Sequence, residues 1–270
     1  MRLTVRECDG PADRTLLVVH GGPGWDHSYL VEPLRELAGD RRLLFPDLRG
    51  CGRSPAAEPL TPDAMVADLI ELIGSPAVDV LGFSYGGLIA QRLAIQAPHL
   101  VRRLIVASSS VLPVPAGAFD GWEEYERRAA AHPSLWEDPA LDGVELVRAE
   151  AFRNAPLNVW REQSLPGYRR RLERVMFTAT YLRAWREGRL PSARHPDAVE
   201  RLSGIPLFLL HGRYDMTFPA SLVALTPCTD AIVLDEAGHM AHIDQPEAWL
   251  AAVSRFLGND ENSRDRVIGQ

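Results

Sequence analysis

Short unbroken apolar runs, each closed by glycine, proline or a polar turn, recur along the chain and alternate with stretches spaced for a helix face. The runs are Leu16-Leu17-Val18-Val19, Leu43-Leu44-Phe45, Val78-Asp79-Val80-Leu81, Leu104-Ile105-Val106-Ala107, Ile205-Pro206-Leu207-Phe208-Leu209-Leu210 and Ala231-Ile232-Val233-Leu234. A strand that is apolar on both faces belongs in a mostly parallel sheet covered by helices on each side, so the pattern predicts an α/β fold. Between the runs the spacing predicts helices over about residues 29–37, 62–73, 88–97 and 246–257. Thr61 is expected to cap the second of these. Pro62 suits its first turn, where a missing N–H costs nothing.

The alternation stops between about residues 113 and 203. That region is dense in Arg, Glu and aromatics, shows no buried strand, and is divided at Pro133, Pro139, Pro156 and Pro166. It carries Trp122, Trp136, Trp160 and Trp185, four of the six tryptophans. The expected organisation is an α/β core built from residues 1–112 and 204–258, interrupted by a helical cap over 113–203. The polar tail, 259–270, is expected to be disordered.

Composition narrows the class. A chain of 270 residues, 46% hydrophobic and 24% charged, can bury one large core. A net charge of -7 lacks the basic balance of a nucleic-acid binder. All 29 basic residues are arginine, which removes lysine Schiff-base chemistry. Cys8, Cys51 and Cys228 are an odd number at unrelated spacings, suggesting neither a disulfide framework nor a metal cluster and fitting a reducing compartment. The first residues carry no apolar stretch suited to a signal peptide, and no run reaches membrane-spanning length. The expectation is a cytoplasmic protein without a membrane or nucleic-acid partner. Its oligomeric state is left open.

Candidate chemistry begins at Gly82-Phe83-Ser84-Tyr85-Gly86, which follows one apolar run and precedes a helical stretch. In that setting a serine sits on a tight, strained turn with its Oγ exposed, and only small residues fit two positions to either side. A serine hydroxyl is a poor nucleophile until a base takes its proton, and the base needs an orienting acid. Asp215 lies five residues past Leu210, and His239 five past Leu234. Both therefore fall in loops after the C-terminal ends of strands, the edge where Ser84 also emerges and where open α/β sheets bind ligands. Asp235 and Asp244 are weaker rivals for the acid, and His242 for the base. His20 and His211 are read as holding loops. The oxyanion formed on attack needs two preorganised donors, for which the Tyr85 and Gly22 N–H groups are the candidates. This chemistry requires no metal and no organic cofactor.

His20-Gly21-Gly22-Pro23-Gly24, Asp47-Leu48-Arg49-Gly50-Cys51-Gly52-Arg53-Ser54 and Gly82-Phe83-Ser84-Tyr85-Gly86-Gly87 together resemble the α/β-hydrolases typified by proline iminopeptidase (prolyl aminopeptidase). The resemblance implies an α/β-hydrolase fold with a helical cap, and release of an N-terminal residue, often proline, from a short peptide or small amide. It also implies acidic cap residues that hold the substrate's free ammonium. Leu146-Val147-Arg148-Ala149-Glu150 resembles the segment bearing one of them, making Glu150 a candidate substrate contact. Glu150 also reads as an ordinary solvated helix residue. The second acid would fall in Val175-Met176-Phe177-Thr178, where Met176 occupies its place. Burying an ammonium with only half its clamp costs about 5 kcal/mol. Ester or lactone hydrolysis on an apolar small molecule is therefore the alternative, supported by the aromatic cap and Met176. A hydrolase-fold binding protein with little turnover is a third. Dehalogenase and epoxide-hydrolase chemistry is disfavoured, since those relatives use an aspartate where this chain has Ser84. Arg49 and Arg53 are read as pinning the loop after Asp47 through ion pairs, and Arg169-Arg170-Arg171 as a solvated helix face.

Overall fold

The computed structural model describes residues 1–188 and 190–258; the expected disordered tail lies outside the described residues. Seven strands form one sheet: β1 (Val5–Cys8), β2 (Thr15–Val19), β3 (Arg42–Pro46), β4 (Val78–Phe83), β5 (Val101–Ala107), β6 (Leu207–Gly212) and β7 (Asp230–Leu234). Their spatial order is β1-β3-β2-β4-β5-β6-β7. All neighbours run parallel except β1, which pairs antiparallel with β3. Every residue of β2, β4 and β6 is buried. Alternate side chains supply two cores. Leu16, Val18, Leu81 and Phe83 face Trp249, Val253 and Phe256 of the helix Pro246–Gly258. Leu17, Val19 and Val80 face Met65, Leu69, Ile89 and Leu93 of the helices Pro62–Ile73 and Tyr85–Gln96. The sheet is thus covered on both faces, the reason its central strands read as continuous apolar runs.

The helix Pro62–Ile73 starts as expected, with the Thr61 side chain accepting the Ala64 N–H at 3.2 Å. The helix expected over 29–37 is broken. A tight turn at Ser28–Leu30 leads into a short helical segment, Val31–Leu34, interrupted at Glu32 (φ -97°, ψ 132°). Pro33 disfavours helical angles at the residue before it. β1 carries no sequence signal of the usual kind, since Arg6 and Glu7 are exposed at the sheet edge.

Between β5 and β6 the described residues form helices and turns without a strand; the longest helices are Glu123–Ala131, Gly143–Arg153, Leu165–Leu172 and Thr180–Arg186. Backbone clasps seat this segment on the core. The Thr178 N–H donates to the Gly24 carbonyl at 2.8 Å, and the Tyr181 hydroxyl to the Arg49 carbonyl at 2.6 Å. Arg171 belongs to the same attachment, donating to the carbonyls of Tyr29 and Glu32. The solvated-face reading therefore fits exposed Arg169 and Arg170 but not Arg171. Arg49 and Arg53 hold the loop after Asp47 through ion pairs, Arg49 with Asp68 at 2.7 Å and Arg53 with Asp26 at 3.9 Å. Among the described residues no helix is long and apolar enough to cross a membrane.

Candidate active site

β4 ends at Phe83 and a helix begins at Tyr85, so Ser84 alone turns the chain. Its backbone is strained, with φ 54° and ψ -122°. The turn is also crowded. A Cβ on Gly86 would lie 2.2 Å from the carbonyl oxygens of Val19 and His20, and one on Gly82 would lie 2.5 Å from the Gly86 carbonyl. The spacing of the two glycines around the serine is thus a steric requirement of running this turn against β2.

The loops after β6 and β7 bring two side chains to Ser84. His239 Nε2 lies 3.1 Å from Ser84 Oγ, and His239 Nδ1 lies 3.0 and 3.1 Å from the two oxygens of Asp215. Pairing with a carboxylate places the imidazole proton on Nδ1 and leaves Nε2 to accept from the hydroxyl. Asp215 is 1% exposed, and its Oδ1 also accepts the N–H groups of Thr217 (2.7 Å) and Phe218 (2.9 Å). Burial pushes this carboxyl up, but the charge of His239 and the hydrogen bonds from His211 and His239 outweigh it and hold it well below the usual carboxylate range.

His211 does more than hold a loop. Its Nε2 lies 2.7 Å from the Phe218 carbonyl and 3.2 Å from Asp215 Oδ2, so it also touches the acid. Burial lowers its pKa, yet the bond to Asp215 wins and raises it. His20 bridges Gly21 O (2.7 Å) and the Leu48 N–H (2.9 Å), tying together the loops after β2 and β3.

The rival residues are engaged elsewhere. Asp235 pairs with Arg213 at the surface. Asp244 is buried and accepts the N–H groups of Gly238, Trp160 and Arg161. His242 is fully buried against Tyr29, Phe83 and Trp249, with Nε2 3.3 Å from the Tyr29 carbonyl. Burial, reinforced by Arg171, holds its pKa well below the ordinary histidine value.

In the loop after β2 the Gly21 N–H is taken by the Tyr29 hydroxyl at 2.8 Å, leaving the Gly22 N–H as the next donor along. Gly22 has φ +119°, a conformation open to glycine and strained for other residues. Tyr85 is the first residue of its helix, so its N–H has no intrahelical acceptor.

Ser84, His239 and Gly22 border a cavity of about 490 Å³ whose outer wall is helical-segment residues. Trp25, Trp136 and Trp185 give it an aromatic lining, and Glu150 is the one acidic residue in its wall among the described residues. The solvated reading of Glu150 fails: it is 4% exposed. Its carboxylate accepts from Ser134 Oγ (2.9 Å), the Leu135 N–H (2.6 Å) and Asn154 Nδ2 (2.6 Å). Met176 is not brought to the cavity. It is 38% exposed, while Thr178, clasped to Gly24, takes the place in the wall. Asn154 and Asn158 also border the cavity without having been expected there; their spacing of four and eight from Glu150 along a helical stretch was the available signal. Among the described residues no three His, Cys, Asp or Glu side chains gather as metal ligands would.

A family model described as alpha/beta hydrolase fold matches residues 14–246. The chain is 27% identical over 272 residues to a proline iminopeptidase of Heyndrickxia coagulans, covering 90% of each chain. It is 31% identical over 265 residues to a 2-hydroxymuconate semialdehyde hydrolase of Pseudomonas sp. (strain CF600), covering 92% of this chain and 88% of that one. Among solved structures it is similar to a hydrolase from Pseudomonas aeruginosa, with TM-score 0.69, 25% identity and coverage of 95% and 94%. The length of the match, together with the sheet order and the strained serine turn, shows that the chain belongs to the α/β-hydrolase fold family.

Proposed function

We propose that this protein is a serine hydrolase that works through an acyl-enzyme, with small aminoacyl amides as its substrate class. The hydrogen-bonded chain from Ser84 through His239 to Asp215, opening on the cavity, carries the reading. His239 Nε2 takes the Ser84 proton as Oγ attacks the carbonyl carbon, and Asp215 holds the imidazolium that forms. The Gly22 and Tyr85 N–H groups stabilise the oxyanion. As the carbon–nitrogen bond breaks, His239 returns the proton to the leaving amine. Water then attacks the acyl-enzyme by the same route and frees Ser84.

Glu150 supports an amine-bearing acyl group. Three donors fix the orientation of its carboxylate at the cavity wall, and indole rings line the same cavity, a side-chain type that attracts cations. With Met176 outside the wall, a single carboxylate serves the ammonium. A second reading, hydrolysis of an ester of an apolar acid, is favoured by the aromatic lining. Of the two relatives named above, the iminopeptidase is in line with the amide reading.

A fluorophosphonate probe tests the common mechanism. It should label Ser84 in the wild-type chain and leave Ser84→Ala unlabelled. A wild-type protein that stays unlabelled would sink the hydrolase reading.

A further inference from the structure

The hydroxyl of Tyr29 and the reacting serine flank Gly21 at the same cavity, and the mechanism above gives that hydroxyl nothing to do. Tyr29 is 1% exposed and forms part of the cavity wall. Its oxygen accepts the Gly21 N–H at 2.8 Å, which fixes the hydroxyl in place but uses only its acceptor side. Among the described residues no protein acceptor lies within hydrogen-bond reach of its own proton. Buried hydroxyl donors are as a rule satisfied, so this one is set to meet an acceptor supplied from the cavity. The location is tight: the point where a Cβ on Gly21 would sit is 3.0 Å from Tyr29 Oη and 3.0 Å from Ser84 Cβ.

We propose that Tyr29 is a further catalytic residue, donating its hydroxyl proton in a hydrogen bond to the oxygen of the tetrahedral intermediate on Ser84 beside the Gly22 and Tyr85 amides. The inference rests on the serine-hydrolase reading. Accepting the Gly21 N–H polarises the O–H and makes it a better donor. Burial pushes the phenol far above its ordinary pKa, so the proton stays on the oxygen throughout turnover. No proton is transferred in this step; the hydroxyl supplies a hydrogen bond to charge that develops only as the carbonyl is attacked, which lowers the barrier without tightening substrate binding.

The ring is held independently of the hydroxyl. It packs edge-on against Trp25 (5.3 Å) and Phe83 (5.8 Å), and its backbone carbonyl is bound by His242 and Arg171. Tyr29→Phe therefore removes the donor while keeping the packing. The expected result is a fall in kcat of about 10²–10³-fold with KM changed by less than about threefold. Affinity for a peptidyl trifluoromethyl ketone, which forms the oxyanion, should fall in step with kcat, while affinity for the carboxylic acid product stays unchanged. Equal losses for both ligands, or a folded variant within about threefold of wild type, would overturn the proposal. Should Tyr29→Phe fail to fold, fluorotyrosine placed at position 29 of the full chain gives a fluorine NMR signal expected to shift when the ketone binds; an unmoved signal overturns it. An active, Ser84-labelled wild type with an unaffected Tyr29→Phe refutes this proposal alone, whereas an unlabelled wild type refutes both readings.

Discussion

Trp160 and Tyr214 stack face to face, with ring centroids 3.7 Å apart and planes 14° from parallel. Tyr214 precedes Asp215, so the helical segment rests directly on the loop that presents the acid. The same residue reaches the other loop through its backbone: the Trp160 main-chain N–H donates to Asp244 Oδ2 at 2.7 Å, and that oxygen also accepts the N–H of Gly238, the residue before His239. One residue thus braces both partners of Ser84. Trp160→Ala keeps the backbone bond to Asp244 and removes the stack beside Asp215; it should cost about 2–3 kcal/mol, less than a fully buried tryptophan because the indole is half-exposed. Urea unfolding reads the stability, and steady-state kinetics should show kcat falling more than KM rises. A destabilised variant with unchanged kcat would show that the bracing does not reach the site.

Asp215→Asn keeps the shape of the acid but lets the amide nitrogen face His239 Nδ1, which favours the wrong tautomer. A loss of about 10⁴-fold in kcat is expected, with the Ser84 fluorophosphonate reaction slowed in parallel. The same group has a signature in acid. Its pKa is depressed in the folded chain, so its stabilisation is fully present above the unfolded aspartate value of about 3.9 and is lost as pH falls below it toward the lower folded value. Denaturant unfolding carried below pH 4 should show a shallower decline in Asp215→Asn than in wild type; parallel curves would contradict the assignment.

His242 produces a pH effect nearer neutrality. Its pKa is depressed by burial, so the unfolded chain takes up a proton below about pH 6.5 that the folded chain does not. The sign follows: this stability is present above that pH and is lost as pH falls, by about 1.4 kcal/mol per pH unit for one proton. His242→Phe suits the surrounding aromatic rings and should remove that slope between pH 6.5 and 5 while stability at pH 8 changes little. A variant retaining the wild-type slope would assign the proton elsewhere, with His20, also depressed by burial, the next to test.

The fold was legible wherever one physical requirement dominated a stretch of chain. β2 is buried on both faces and reads as unbroken Leu and Val, while β1 at the antiparallel edge exposes Arg6 and Glu7 and reads as nothing in particular. The serine turn was legible because Gly82 and Gly86 are imposed by contacts under 3 Å. The cavity wall was not, because which face of a helical-segment residue turns inward is set by tertiary clasps. Thr178 enters the wall since its backbone is bound to Gly24, and that same clasp leaves Met176, two residues earlier, at the surface. Arg171 is separated from its exposed neighbours in the same way, by carbonyls of a loop far away in sequence.

Glu150 decides between the amide and ester readings, because its carboxylate is the one negative charge at the cavity wall among the described residues. Glu150→Gln keeps an oxygen acceptor and removes the charge. The aminoacyl reading expects kcat/KM for proline and alanine arylamides to fall about 10- to 100-fold, corresponding to loss of a charge-assisted bond of about 1.5–3 kcal/mol. Ring-matched p-nitrophenyl esters without an amine should be unaffected or improved, since desolvating the carboxylate beside an apolar acyl group is unfavourable. Wild-type rates on free-amine substrates should also exceed those on their N-acetylated analogues. Equal rates on acetylated and free substrates, together with an indifferent Glu150→Gln, would remove the aminoacyl reading and leave the ester reading, because a wall of tryptophans without a working carboxylate selects for apolar surface alone.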